Sequence, residues 1–165
     1  HGWVLAGCDH HRAGAAAIHI YHRIHVSAPA RATFAVLADV ELHPQWQASA
    51  VRTEWTSAAP HAQGATFRET HRVFGVTLQH IFAVTAYEPN RLLAYECREG
   101  LHPVRITHRV EPASTGAVVE FELQSHLSGV MRLSAPMARR MVRRVAQADF
   151  ERFSRLLAAR VRAAA

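Results

Sequence analysis

The chain has 165 residues, 49% hydrophobic and 19% charged, which suits a single globular domain with a sizeable core. No apolar run approaches the roughly 18 residues of a membrane-spanning helix, and two cysteines, Cys8 and Cys97, define no disulfide framework. All 19 basic residues are arginine and the formal net charge is +6, which leaves an anionic partner open without selecting one.

Residues 1–16 show no periodicity and are expected to form a flexible tail. Leu5-Ala6-Gly7-Cys8 resembles a lipobox, but only His1 to Val4 precede it, against the ~7–15 apolar residues a signal needs before cleavage. The expected location is therefore cytoplasmic, with a lipoprotein as the alternative. Asp9-His10-His11 lies beside Cys8, but no second ligand cluster stands at metal-site spacing, so no metal is expected.

From residue 17 the pattern sharpens. Ile18, Ile20, His22, Ile24 and Val26 alternate along a strand. Ser27 is placed to cap the next element and Pro29 to sit in its first turn, and "ARATFAVLADV" reads as an amphipathic helix. Its pattern breaks at Asp39 and restarts at Glu41, and Pro44 and Trp46 follow closely. Strands are then expected over Val51–Thr56, Thr66–Phe74, Val76–Tyr87, Leu92–Arg98, Val104–Glu111 and Ala117–Leu127. Gly64, Gly75, Pro89-Asn90, Gly100 and Gly116 punctuate them at hairpin spacing, which predicts an antiparallel meander. A long helix from about Gly129 to Ala163 closes the chain. Residues 17–163 thus read as one α+β domain: a curved antiparallel sheet of about seven strands, two short helices and a long C-terminal helix.

This order resembles the START-like, or SRPBCC, helix-grip superfamily, and within it the polyketide cyclase/dehydrase and lipid-transport group. The resemblance covers about Ala17 to Ala159. It is carried by "IHVSAPARATFAVLADVELHPQW", "YEPNRLLAYE", "HRVEPASTGAVVEFEL" and "DFERFSRLLAA". These stretches are structural rather than catalytic. The resemblance implies an apolar cavity between sheet and long helix, used by some members to cyclise or dehydrate a ligand and by many only to carry one. It also makes the break at Asp39 the elbow between two short helices, with Trp46 as the elbow's core plug and, in a functional reading, a wall of the cavity mouth.

A two-residue turn at Phe74-Gly75 would pair Val73 with Val76, His71 with Leu78, Glu69 with His80 and Phe67 with Phe82. The same face gains Leu93, Tyr95, Cys97, Val104, Ile106, His108 and Val110, then Val119, Phe121, Leu123 and Ser125. Arg68, Arg72, Thr107, Arg109, Glu120 and Glu122 fall on the opposite, solvated face. Glu69 needs a partner in an apolar lining, and His80 stands directly across the ladder. The pair is either a satisfied buried couple or a general acid/base. The expected ligand-binding set is Trp46, Phe67, His71, Leu78, Phe82, Tyr95, Ile106, His108, Phe121, Met137 and Met141, with Glu69 and His80 as the catalytic candidates.

Two functions follow: a carrier of a hydrophobic small molecule, lipid-like or polyketide-like, or a cyclase, dehydratase or aromatase using Glu69 and His80. No cofactor is expected, since no dinucleotide fingerprint or P-loop occurs. Arg139, Arg140, Arg143 and Arg144 repel at i,i+4 spacing. They form either a solvated face or a docking site for an acyl carrier protein or an anionic lipid. Nucleic acid ranks last, since no recognition motif accompanies them.

Overall fold

A computed structural model describes residues 16–73, 75–99, 103–127, 133 and 135–164. The lipobox-like segment, Phe74, Gly100 and the expected helix start at Gly129 lie outside the described residues. Strand β1 (Ala16–Val26) buries Ile18, Ile20 and Val26 and exposes His19, Tyr21, Arg23 and His25. This is the alternation expected of a half-buried strand. Helix α1 (Ala30–Ala38) follows. The expected Ser27 cap is not made: Pro29 holds the N-cap position, with no side-chain cap. Its carbonyl accepts from the Thr33 N–H at 3.0 Å, while the Thr33 hydroxyl donates to the Ala28 carbonyl.

The helix stops at Asp39, whose extended ψ of 88° ends the helical bonding. A 3-10 turn over Val40–Leu42 leads straight into α2 (His43–Trp46), with Pro44 in its first turn where the missing N–H costs nothing. Trp46 is buried against Phe150 and Phe153, the plug expected from its place in the sequence.

Six further strands follow: β2 (Ala50–Trp55), β3 (Thr66–Val73), β4 (Val76–Glu88), β5 (Leu92–Glu99), β6 (Val104–Ala113) and β7 (Gly116–Leu127). They join β1 in one antiparallel sheet of order β1-β7-β6-β5-β4-β3-β2. The β3–β4 register is the expected one, with Phe67 opposite Phe82, Glu69 opposite His80, His71 opposite Leu78 and Val73 opposite Val76. Irregularities at Ala50/Arg52, Ile81/Phe82 and Val84/Ala86 are of the kind that bends strands and strengthens twist. The convex face carries cross-strand ion pairs such as Arg68–Glu54 at 3.0 Å and Arg23–Glu120 at 3.5 Å.

Helix α3 (Ala135–Ala163) packs against β1 and both short helices. Phe150, Phe153 and Leu157 face inward. Asp149, on the same side, accepts the Ala48 N–H at 2.9 Å, which ties the long helix to the turn between α2 and β2. Gly116, at φ +132°, begins β7 so close to β1 that an added Cβ would overlap the Val26 carbonyl oxygen.

Candidate functional site

Between the concave face and α3 lies a cavity of about 500 Å³, within the size range of small-molecule sites. Its sheet wall includes Leu78, Phe82, Tyr95, Ile106, His108 and Phe121. Trp46 and Gln47 also border it. The helix supplies Ala138, Met141, Val142, Val145, Ala146, Asp149 and Phe150. The cavity is overwhelmingly apolar because one period-2 face of six strands, all but β2, meets one stripe of a helix.

Eleven of the thirteen expected site residues border this space: Glu69, His80, Trp46, His71, Leu78, Phe82, Tyr95, Ile106, His108, Phe121 and Met141. Two do not. Phe67 is wholly buried among Phe82, Tyr95 and His43, beneath the lining rather than in it. Met137 is 73% exposed on the outer side of α3. One turn decides this last case: Ala138 and Met141 border the cavity, and the helical rotation of about 100° per residue carries Met137 off the wall.

The polar end of the cavity is built around Glu69, which is 2% exposed. His43 Nδ1 donates to its Oε1 at 3.1 Å, and the Thr53 hydroxyl donates to the same oxygen at 3.3 Å. His71 Nε2 lies 3.3 Å from Oε2, and His71 Nδ1 lies 3.1 Å from the Ser49 hydroxyl. His80 faces Glu69 across the ladder, and its ring lies edge-on to His71, but the carboxylate is already satisfied from three other residues. Burial alone would raise the Glu69 pKa. Hydrogen bonds from His43 and His71, with the electrostatic pull of the same two rings, outweigh burial and hold it well below the ordinary 4.5. Glu69 is thus a standing anion inside an apolar cavity.

Tyr95 and His108 form a second polar pair on the same lining. The Tyr95 hydroxyl is 3.4 Å from His108 Nε2, and both side chains are fully buried. Burial, helped by the nearby His43 charge, lowers the His108 pKa to about 3, so its imidazole is neutral. Burial, and secondarily the Glu69 charge, raises the Tyr95 pKa well above 10. The pair is therefore a neutral phenol and a neutral imidazole. Among the described residues, His108 Nδ1 and Trp46 Nε1 have no hydrogen-bond partner.

Sequence reasoning missed His43, Thr53, Ser49 and Asp149. His43 stood inside the elbow stretch itself, where only Pro44 and Trp46 drew notice. Asp149 carried a visible signal: it follows Val145 and precedes Phe153 at four-residue spacing, an acid on the apolar side of the helix. Among the described residues no group of His, Cys, Asp and Glu is arranged to hold a metal ion.

A family model for polyketide cyclase / dehydrase and lipid transport matches residues 17–158. No curated protein matches. Solved structures with the same fold include a START superfamily protein from Mycobacterium smegmatis (17% identity, 89% of this chain and 99% of that one, TM-score 0.64). Ara h 8.0201 is similar at 16% identity over 87% of this chain and 99% of that one, TM-score 0.68. So is the di-domain ARO/CYC StfQ from the steffimycin biosynthetic pathway, at 15% identity over 90% of this chain and 53% of that one, TM-score 0.72. The match spans nearly the whole sheet and most of α3, and the chain, which has the helix-grip fold of these structures, therefore belongs to the polyketide cyclase / dehydrase and lipid transport family.

Proposed function

We propose that this protein encloses a hydrophobic small molecule, lipid-like or polyketide-like, in the cavity beneath α3 and carries it unchanged. The observation behind this reading is the 500 Å³ of space walled by aromatic and aliphatic side chains, with few polar groups inside. Those groups are poorly matched to catalysis. A general base works best with a pKa near the operating pH, whereas Glu69 is held far below it and His108 at about 3. Their arrangement suits orientation of a ligand that has one polar end, since the buried ring nitrogens Trp46 Nε1 and His108 Nδ1 have no partner among the described residues and gain most from one. We further propose that an anionic partner approaches the exposed arginines of α3.

A second reading is a cyclase or dehydratase, and one observation favours it. Glu69 fixes His71 through Nε2 while that imidazole borders the cavity, so the proton acceptor would be a histidine oriented by a carboxylate. In that case the Glu69 and His80 assignment shifts: Glu69 becomes a positioning residue.

Native mass spectrometry of protein purified from its own host tests the carrier reading by seeking a bound apolar molecule. In parallel, an environment-sensitive apolar dye should bind the wild type, and Ile106→Trp, which fills the wall, should weaken it at least tenfold. Dye binding indifferent to Ile106→Trp would remove the cavity from the function.

A further inference from the structure

A second recess, of about 630 Å³, opens between α1, the elbow, the β2–β3 loop and the β4–β5 turn. No residue borders both it and the cavity beneath α3. Phe67 stands between the two: its ring meets Trp55 of the recess and Phe82 and Tyr95 of the cavity wall.

Much of the recess is walled by rings. Ring centroids lie 5.1 Å apart for Trp55 and His61, 6.2 Å for His61 and Tyr87, and 5.6 Å for Tyr87 and Phe34. Successive rings are tilted by 63°, 54° and 65°, so the four make a bent wall rather than a stack. A bent wall lets several π faces serve one point, as recognition of an organic cation requires. His61 is the costly member. Its backbone sits at φ 59°, in the left-handed region that a residue with a Cβ seldom adopts. Among the described residues its ring makes no hydrogen bond, only the contacts with Trp55 and Tyr87. An exposed side chain held at that cost beside a recess motivates a functional reading.

Charge points the same way. Asp39 and Glu41 border the recess against one base, Arg31. Among the described residues none of these three side chains has an ion pair or a hydrogen bond. Elsewhere on the surface glutamates sit with arginines, as in Arg68–Glu54 and Arg91–Glu88. Acid therefore outnumbers base here, on a chain whose formal net charge is +6.

We infer that this recess binds a small alkylated ammonium compound, its cation against the rings of Trp55, His61 and Tyr87 and its charge balanced by Asp39 and Glu41. The ring quadrupoles attract the cation, and its methyl groups bury apolar area on the same rings. An anion would have only Arg31 to meet and two carboxylates to avoid. The inference uses no residue of the cavity, so it stands apart from the carrier reading.

Calorimetric titration of the full chain with choline, against its uncharged carbon isostere 3,3-dimethylbutan-1-ol, tests the inference. Choline should bind, and the isostere about tenfold more weakly or worse. Asp39→Asn combined with Glu41→Gln should weaken choline about fivefold, and Arg31→Ala should tighten it. His61→Gly removes one wall while suiting the positive φ, and should weaken choline roughly threefold or more. None of these side chains makes an ion pair or hydrogen bond that the fold would lose, and apolar-dye binding in the cavity should be unchanged in every variant. No saturable binding of choline, equal affinity for the isostere, or indifference to the paired acid variant would overturn the site. Displacement of the cavity dye by choline would overturn it too, by placing the cation beside Glu69. Acetate binding that is lost in Arg31→Ala would make the recess an anion site instead. Nα-acetyl-lysine amide carries the same charge on a primary amine and should bind more weakly than choline; tighter binding would reassign the recess to a lysine of another protein.

Discussion

Acid should unfold this protein through His108, and the size of the effect follows from where the ring sits. His108 is buried between Tyr95, Phe121 and Phe150, and its pKa falls from the ordinary 6.5 to about 3. The folded state therefore holds the ring neutral, while the unfolded chain takes up a proton as the pH drops through 6.5. Because the unfolded state binds more protons in that window, stability rises with pH there and is lost on acidification. From the two pKa values the loss is about 2 kcal/mol between pH 7 and pH 5 and roughly 4–5 kcal/mol by pH 3, at about 1.4 kcal/mol per pKa unit. His108→Gln removes the titration and keeps an acceptor for the Tyr95 hydroxyl. Urea unfolding of both proteins at pH 7, 6 and 5 isolates the difference, since carboxylates contribute little above pH 5. The variant should start less stable and lose about 2 kcal/mol less than the wild type on going to pH 5. Parallel pH dependences for the two proteins would refute the claim that burial holds His108 neutral.

Glu69→Gln should cost about 3 kcal/mol at pH 7, because one carboxylate oxygen becomes an NH2 that cannot accept the hydrogen bonds converging on the buried group from His43, Thr53 and His71. The gap should narrow below about pH 4.5, where the wild-type advantage from the depressed Glu69 pKa begins to disappear. Dye affinity in Glu69→Gln should persist under the carrier reading, whereas an enzyme would keep binding and lose turnover by ~10²-fold or more. Trp46→Ala should destabilise by about 3–5 kcal/mol in thermal or urea unfolding, since it empties the volume between α2, Phe150 and Phe153. Gly116→Ala should be much more damaging than Gly75→Ala: both glycines have positive φ, but only at Gly116 does the new methyl meet backbone, whereas Gly75 has open space around it. Equal melting temperatures for the two alanine variants would contradict that packing.

The strand periods, the hairpin register and the face of each side chain were determined by local sequence. Alternation has a period of two, so a turn at residues 74–75 leaves only one pairing that buries Phe67, Glu69 and His71 on the same side. The elbow was equally plain, because a helix that breaks at Asp39 and resumes before Pro44 needs no distant contact to explain it. The partners of Glu69 were a different matter. Across the ladder the nearest histidine is His80, but a carboxylate takes bonds from every direction, and His43 and Thr53 come from α2 and β2, 26 and 16 residues back along the chain. Only the folding of the elbow over the sheet brings them to it. Met137 failed for the complementary reason. Composition and spacing mark an apolar stripe on α3, but the rotation of that helix about its axis is set by Phe150, Phe153 and the Asp149 tie to Ala48. Those contacts turn Ala138 and Met141 to the cavity and leave Met137 facing outward.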